Sequence, residues 1–439
     1  MKNEDILESD YGMYTNLHGH SRFSALDGFS DVDEYVARCK KLGMRGACLS
    51  DHGVMSSAYE LKKSCDKHGM KPIFANELYF TPNDPLRKEK IEGFKHSYHI
   101  LLIAYNNAGY QNLLKLSSDA WTKYRYYKPR VAWEQLQQYS EGIICLSACL
   151  GGYMNQLVME GKDEDAELAA LRFKSIYKEN FYLEMQWTGI PEQELTNVWM
   201  KGISKKHGIP LVITTDCHYI YKEDTELHRA LVTINTGGNF KKIKVDTTGL
   251  ADSSSEKDTD ESSMFYKTGQ YYLKPYHVLA EYFKDEQDAV AFANTNLIAE
   301  KCNVQLPSGL KIFPQLVPDP EKFVMDQCLA FVNNYCKDMD AAGKKKYLDR
   351  LNEEAWIIKR MGYFDYFTVV QDMVRKAKEN GILVGLGRGS GASSLICFAL
   401  GITGIDPLTY NLLFSRFLSS ARAPYPVIEL EEYPLSKWK

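Results

Sequence analysis

The feature that most limits the fold of this chain is an alternation that runs from residue 14 to about residue 220. A short β-rich run ends on a polar residue, and a helical pattern follows. The runs are Tyr14–His18, Gly46–Asp51, Pro72–Glu77, Tyr98–Ala104, Gly142–Ala148, Phe181–Met185 and Pro210–Thr215. Between them Val32, Tyr35, Val36, Cys39 and Leu42 recur at helical spacing, and Leu113, Leu114, Leu116 and Trp121 follow a Gly-Tyr turn signal. Strands alternating with helices predict parallel pairing through right-handed crossovers. Seven such units can close into an α/β barrel, whose functional residues sit on the loops after the strand C-termini.

Composition narrows the class. A chain of 439 residues has room for two or three domains. Its hydrophobic fraction of 44% and charged fraction of 25% are ordinary globular values and exclude wholesale disorder. Mean hydropathy is −0.36. No apolar run is long enough to span a bilayer, so no membrane partner is expected. The opening MKNEDILESD is acidic and without an apolar core, which predicts no signal peptide. Ten cysteines without a C-x-x-C pair read as reduced thiols of a cytoplasmic protein. The net charge of −4 argues against an electrostatic nucleic-acid coat and leaves room for a locally basic groove.

The strand ends carry the chemistry. His18-Gly-His20 turns two imidazoles to the same side of a strand end. Alone, H-x-H is a weak signal. Asp27 follows in SALDG, Asp51-His52-Gly53 closes the second run, and Glu77 closes the third. His99 lies in the fourth run, Cys149 ends the fifth, and Asp216-Cys217-His218 ends the last. Five of the ten histidines thus fall on one predicted rim. His18, His20, Asp27, His52, Glu77, His99, Cys149, Asp216 and His218 are competent ligands for zinc, manganese or iron. They exceed the needs of one tetrahedral ion and suffice for two or three divalent ions with bridging carboxylates. Closely spaced ions clamp a phosphoryl oxygen and generate hydroxide near neutral pH, so phosphoester hydrolysis is the expected reaction. A set of unrelated polar loop residues is the bland alternative. Asp51 is assigned a supporting role and Cys217 a core position. His68, His96, His207, His228, His277, Cys145 and Glu184 are assigned surface or packing roles.

Residues 246–263, DTTGLADSSSEKDTDESS, nearly lack large apolar residues and read as a solvated insertion. Residues 280–300 and 322–380 are helical by pattern. Then Ile382–Val384 reads as a strand, Gly385 to Gly391 as a Gly-rich turn and Ser393–Leu400 as a helix. Such a turn lets backbone N–H groups approach a phosphate. The context fits neither a Rossmann fingerprint, which lacks its acidic residue here, nor a P-loop, which lacks its lysine. A phosphate cradle and a plain tight turn both remain open on the residues alone.

YTNLHGHSRFSALDG, LSDHGVM, FANELYF, HILLIAYNNAGYQNLLKLS, LSACLGG and TTDCHYI resemble, in order, the motifs of the PHP (polymerase and histidinol phosphatase) domain. The version is the one that opens the alpha subunits of bacterial DNA polymerase III, the C-family polymerases. The resemblance implies a distorted seven-stranded (β/α) barrel over residues 1–275 with a trinuclear metal site. All nine ligand positions are kept, which implies 3′–5′ exonuclease or other phosphoesterase activity. MGYFDYFTVVQDMVRKAKENGI and VGLGRGSGASSLICFALGITGIDPLTYNLLFSRFLSSAR resemble the start of the polymerase palm in the same family, giving a mostly helical, incomplete palm over 276–428. There Arg388, Gly389 and Ser390 take positions at the nucleotide triphosphate. The family's next motif is Pro-Asp-x-Asp. Val427 and Glu429 stand at its two carboxylate positions, and residues 429–439 read as a divergent tail.

Two-metal nucleotidyl transfer needs hard oxygen ligands, so polymerisation by this chain alone is not expected, and magnesium would serve only a site completed by a partner chain. The resemblance implies DNA as partner, as a primer-template or a single-stranded 3′ end. It also implies other replisome subunits and a second polypeptide carrying the rest of a split or truncated polymerase. Leu412, Leu413, Phe414, Phe417 and Leu418 are candidates for its apolar docking edge. The charges of residues 276–439 nearly balance, which predicts weak, salt-sensitive DNA binding by this part alone. A phosphatase acting on a small phosphorylated metabolite and a non-enzymatic replication scaffold are the competing functions.

Overall fold

A computed structural model of the chain describes residues 7–89, 91–236, 268–306 and 313–419. The insertion 246–263, Val427, Glu429 and the tail 429–439 lie outside the described residues. The chain divides into two compact units, Met1–Leu306 and Pro307–Lys439.

The first unit is an α/β half-barrel. Its strands are β1 (Ala47–Leu49), β2 (Pro72–Phe80), β3 (Tyr98–Ala104), β4 (Arg125–Tyr126), β5 (Lys128–Val131), β6 (Ile143–Leu146), β7 (Phe181–Gln186) and β8 (Leu211–Thr214). They form one mixed sheet in the order β4-β5-β2-β3-β6-β7-β8, with β1 beside β2. Strands β1 and β2 run parallel, as do β6, β7 and β8. Helices Val32–Lys41, Ala58–His68, Asn107–Thr122, Asp163–Tyr177 and Pro191–His207 cover the sheet. Local signals set their ends. Asp31 caps the first by accepting from the backbone N–H groups of Asp33 and Glu34, and Gly69 closes the second at a φ of 64°.

Two expectations are corrected here. Strand β3 is antiparallel to both β2 and β6. Parallel neighbours need a crossover helix, and the described residues between β2 and β3 form none. The run Tyr14–His18 is not a regular strand. It contributes single bridging bonds instead: His20 N–H donates to Cys217 O (2.8 Å), Cys217 N–H to His18 O (3.2 Å) and Ser50 N–H to Gly19 O (2.8 Å). Residues 18–20 therefore lie between the ends of β8 and β1. The first unit runs to Leu306. Helix Glu286–Lys301 packs on β8, and its Ile298 and Ala299 are buried with Val212 and Leu17.

The second unit packs helices Pro320–Tyr335, Ala341–Met361 and Phe364–Glu379 with the short helix Leu395–Ala399. Val324, Cys328, Leu351, Ile358, Phe367 and Leu395 form its core. The strand expected at Ile382–Val384 does not form. Among the described residues no strand lies beside it to satisfy its backbone, and Leu383 is 99% exposed. The expected apolar edge is mixed: Phe414 is buried, whereas Leu413 is exposed.

No helix among the described residues is long and apolar enough to cross a membrane. All ten cysteines are free thiols.

Candidate metal centre

Nine side chains meet at one rim of the first unit, because the barrel ends its strands there. Glu77 lies near the end of β2. Asp216 and His218 follow β8, His52 follows β1, and Cys149 follows β6. His99 joins them from the start of β3, since an antiparallel strand brings its N-terminal end to the rim where its neighbours finish.

Glu77 is the hub. Its Oε1 lies 2.9 Å from His99 Nδ1, 3.3 Å from His18 Nε2 and 3.5 Å from Cys149 Sγ. Its Oε2 lies 2.7 Å from His52 Nδ1 and 3.6 Å from His20 Nε2. Asp216 Oδ1 sits 3.2 Å from His18 Nε2 and 3.3 Å from His20 Nε2. Asp27 Oδ2 accepts from His52 Nε2 at 2.8 Å and stands 3.9 Å from His218 Nε2. Three overlapping triads can each hold an ion: His20, His52 and His218; His18, His20 and Asp216; His52, Glu77 and His99.

Buried polar atoms normally find hydrogen-bond partners. Here His18 Nε2, His20 Nε2, His52 Nδ1, Glu77 Oε2 and Asp216 Oδ1 are buried and make no well-aligned hydrogen bond. They point at one another instead, as lone pairs sharing cations do. The mixed imidazole, carboxylate and thiol set suits zinc, manganese or iron.

The electrostatics agree. Burial alone would raise Glu77, yet His99, His18 and His52 hold its carboxyl well below the usual range. His18 and His218 do the same to Asp216. Burial opposes protonation of His18, but Asp216, Glu184 and Glu77 outweigh it and hold that imidazole well above its ordinary value. His20 is pushed down to about 3 by burial and by the neighbouring His52 and His218. Burial, then Glu77 and Asp216, push the Cys149 thiol up. The neighbours thus bias the two carboxyls toward the ionised form and the His18 imidazole toward the protonated form, a balance in which a divalent ion would compete with protons.

A surrounding layer orients these groups. His18 Nδ1 bonds Glu184 Oε1 (2.7 Å), which also accepts from Gln186 Nε2 (2.9 Å) and Thr214 Oγ1 (2.5 Å). This fixes the His18 tautomer and frees Nε2 for the rim. Glu184 is therefore more than the packing residue expected. Its signal was a Glu on the buried strand β7, on the side opposite Leu183 and Met185. Asp51 supports His20 through Ser24: Ser24 Oγ donates to Asp51 Oδ1 (2.8 Å) and lies 3.0 Å from His20 Nδ1. Cys217 is fully buried beside Asn16. His68, His207 and His277 pair with Asp33, Glu167 and Asp10 away from the rim. Buried His228 packs on His218 and bonds the backbone of Asp27.

The rim opens into a cavity of about 400 Å³ lined by Asp27, His52, His99, Cys149, Asp216 and His218. Lys95, Lys128, Tyr79, Gln156 and Gln193 line the same space.

The chain matches the PHP domain family over residues 16–188 and the bacterial DNA polymerase III alpha NTPase domain over residues 325–432. It is 36% identical over 428 residues to the DNA polymerase III subunit alpha of Borreliella burgdorferi, covering 95% of this chain and 35% of that one. With the Treponema pallidum subunit the identity is 35% over 421 residues, with shares of 95% and 34%. This chain is a homologue of bacterial DNA polymerase III alpha subunits. It spans about a third of the length of these relatives. Among solved structures, an amidohydrolase from Chromobacterium violaceum is similar at 14% identity and a TM-score of 0.32, covering 47% of this chain and 87% of that one.

The polymerase-like residues are placed differently from the PHP rim. Arg388, Gly389 and Ser390 lie in the second unit on an exposed segment. The helix after them offers no free N-terminus for a phosphate. Glu354 accepts from the N–H groups of Leu395 (2.8 Å) and Ile396 (3.1 Å) and from Ser394 Oγ (2.7 Å), and Ser394 Oγ accepts from Cys397 N–H (3.1 Å).

Proposed function

We propose that the PHP unit hydrolyses phosphodiesters at the 3′ end of a nucleic-acid strand, within a replicative polymerase framework. The carrying observation is the convergence of ligand-type side chains on one rim, seven of them in overlapping triads and six lining one cavity, with buried polar atoms that no hydrogen bond satisfies. His18, His20, Asp27, His52, Glu77, His99, Cys149, Asp216 and His218 would hold two or three divalent ions. Such ions supply a nucleophilic hydroxide near neutral pH and a clamp for the phosphoryl oxygens. The chain's own residues do the positioning. Glu184 holds the His18 tautomer, Ser24 and Asp51 hold His20, and Asp27 steadies His52. Lys95 and Lys128 place positive charge on the wall of the cavity, where a phosphate would lie.

The polymerase-like second unit favours a nucleic-acid substrate over a small metabolite, which has no use for it. Nucleotidyl transfer is not assigned to these residues, because Val427 and Glu429 stand at the expected carboxylate positions. Polymerisation, with magnesium, would need carboxylates supplied from outside these 439 residues, as on a second polypeptide.

The test is incubation with manganese and 3′-labelled single-stranded DNA, then with p-nitrophenyl phosphate. Stepwise shortening of the strand is expected, and its loss in His18→Ala. Turnover of the small ester alone would favour the metabolite phosphatase, and no turnover of either would favour a scaffold. Full cleavage by His18→Ala would overturn the site.

A further inference from the structure

The segment Lys123-Tyr-Arg-Tyr-Tyr-Lys-Pro-Arg130 alternates bases and aromatics without an acidic residue. It folds into the β4–β5 hairpin, in which Arg125 pairs with Pro129 and Tyr126 with Lys128. Tyr127 forms the tip. It is 72% exposed and has a φ of 57°, a left-handed conformation that is disfavoured for a non-glycine residue. A large aromatic is thus held out in solvent at a position better suited to glycine or asparagine.

The rings form a connected platform. Tyr126 and Tyr127 have centroids 4.7 Å apart, and His96 lies 5.4 and 5.1 Å from them. Cations cap the neighbouring rings: Arg125 lies 5.4 Å from the Trp121 ring, Arg130 5.0 Å from Tyr126, and Lys128 5.0 Å from Tyr79. The base of the hairpin is anchored. Buried Arg130 donates through Nη2 to Pro85 O (2.9 Å) and Arg87 O (2.8 Å), tying the preceding loop to it.

The platform is continuous with the metal centre. Lys128, Lys95 and Tyr79 line the same cavity as His52, His99 and Asp27. Trp121 Nε1 and Ser117 Oγ both donate to the backbone oxygen of Gly53, the residue after His52. A Cβ at Gly53 would come 2.9 Å from Pro129 Cγ, so the hairpin packs directly on the loop that carries His52.

Exposed aromatics beside a basic groove are the recognition chemistry of single strands, whose bases stack on rings while phosphates meet lysine and arginine. We propose that the β4–β5 hairpin and His96 bind the last nucleotides of a single strand, stacking bases on Tyr127 and Tyr126 while Lys128 and Lys95 lead the terminal phosphodiester to the metal centre. This rests on the phosphodiesterase reading and names the surface that feeds it.

The test measures binding in EDTA, where no hydrolysis can occur. The full chain is titrated against a fluorescent oligothymidylate at low salt, and its anisotropy is followed. Tyr127→Ala is expected to weaken binding roughly tenfold, within the range for one stacked base. Lys128→Gln should flatten the slope of log affinity against log salt by about 0.7, the loss of one phosphate contact on a single strand. Tyr59→Ala, which removes an exposed ring elsewhere, should bind like the parent. In manganese, Tyr127→Ala should raise KM for the labelled strand more than it lowers kcat.

If Tyr127→Ala and Lys128→Gln bind as the parent does while the parent still cleaves DNA, the hairpin proposal is overturned and the hydrolytic reading stands. If both variants weaken binding but the parent cleaves nothing with manganese, the hydrolytic reading falls and the strand-binding surface remains. Equal weakening by Tyr59→Ala would also overturn the proposal, since the contact would then be non-specific.

Discussion

The two units treat their candidate functional groups in opposite ways. At the PHP rim three imidazoles are each held by a second side chain: buried His18 by Glu184, buried His20 by Ser24, and half-buried His52 by Asp27. In the second unit Arg388, Gly389 and Ser390 lie on an exposed segment, and the nearby buried acid, Glu354, serves the fold. A site is pre-organised where its polar groups are fixed before a ligand arrives. The first unit meets that condition by itself; the exposed segment of the second does not.

The sharpest way to break this contrast is Glu354→Ala. It would strip the partners from Leu395 and Ile396 N–H and from Arg350, whose Nε lies 2.6 Å from Glu354. Removing one member of a buried ion pair costs about 3–5 kcal/mol. Urea unfolding should show the second unit destabilised by that order, while metal binding by the first is kept. Lost metal binding in a folded variant would mean that the units are not independent.

Glu184→Gln probes the other side. It keeps a side chain of similar shape but removes the charge that fixes His18. A loss of roughly 10- to 100-fold in metal affinity or activity is expected, as for other groups that orient a metal ligand. Calorimetric titration with manganese would measure it, and a variant matching the parent would reduce Glu184 to a packing residue.

The smallest effect concerns acid stability of the second unit. Burial would raise Asp406, but Thr409, Tyr347 and Leu408 donate to its carboxylate at 2.6, 2.6 and 2.9 Å and hold its pKa below the usual range. The folded pKa therefore lies below the unfolded value of about 3.9, so its contribution is present above that pH and lost as the pH falls through the folded value. Asp406→Asn should cost about 1–3 kcal/mol at neutral pH. The gap to the parent should close in the acid limb of a pH-resolved unfolding series. A gap constant with pH would show that shape, not charge, is what Asp406 contributes.

Much of the first unit is legible in the chain. Helix positions follow from apolar spacing, as in Val32–Lys41, and ligand-type residues are conspicuous at strand ends. Long-range pairing is not legible. Strand β3 looks like its neighbours in composition, yet the absence of a crossover helix before it reverses its direction. Ile382–Val384 has strand composition and stays irregular, since no strand among the described residues flanks it. Glu184 is a single acid in an apolar run, and only its contact with His18 gives it a role.

The amino-acid sequence alone determined which chemical groups are available and their local periodicity, because donor identity and helix or strand preference reside in each residue and its near neighbours. Tertiary structure decided which of those groups face one another. It brought His99 to the rim through an antiparallel strand, turned Glu184 onto His18, and gave the helix N-terminus at Leu395 to Glu354 instead of a ligand. Those outcomes depend on burial and pairing between segments far apart in the chain, where the cost of an unsatisfied polar group is settled only once everything has packed.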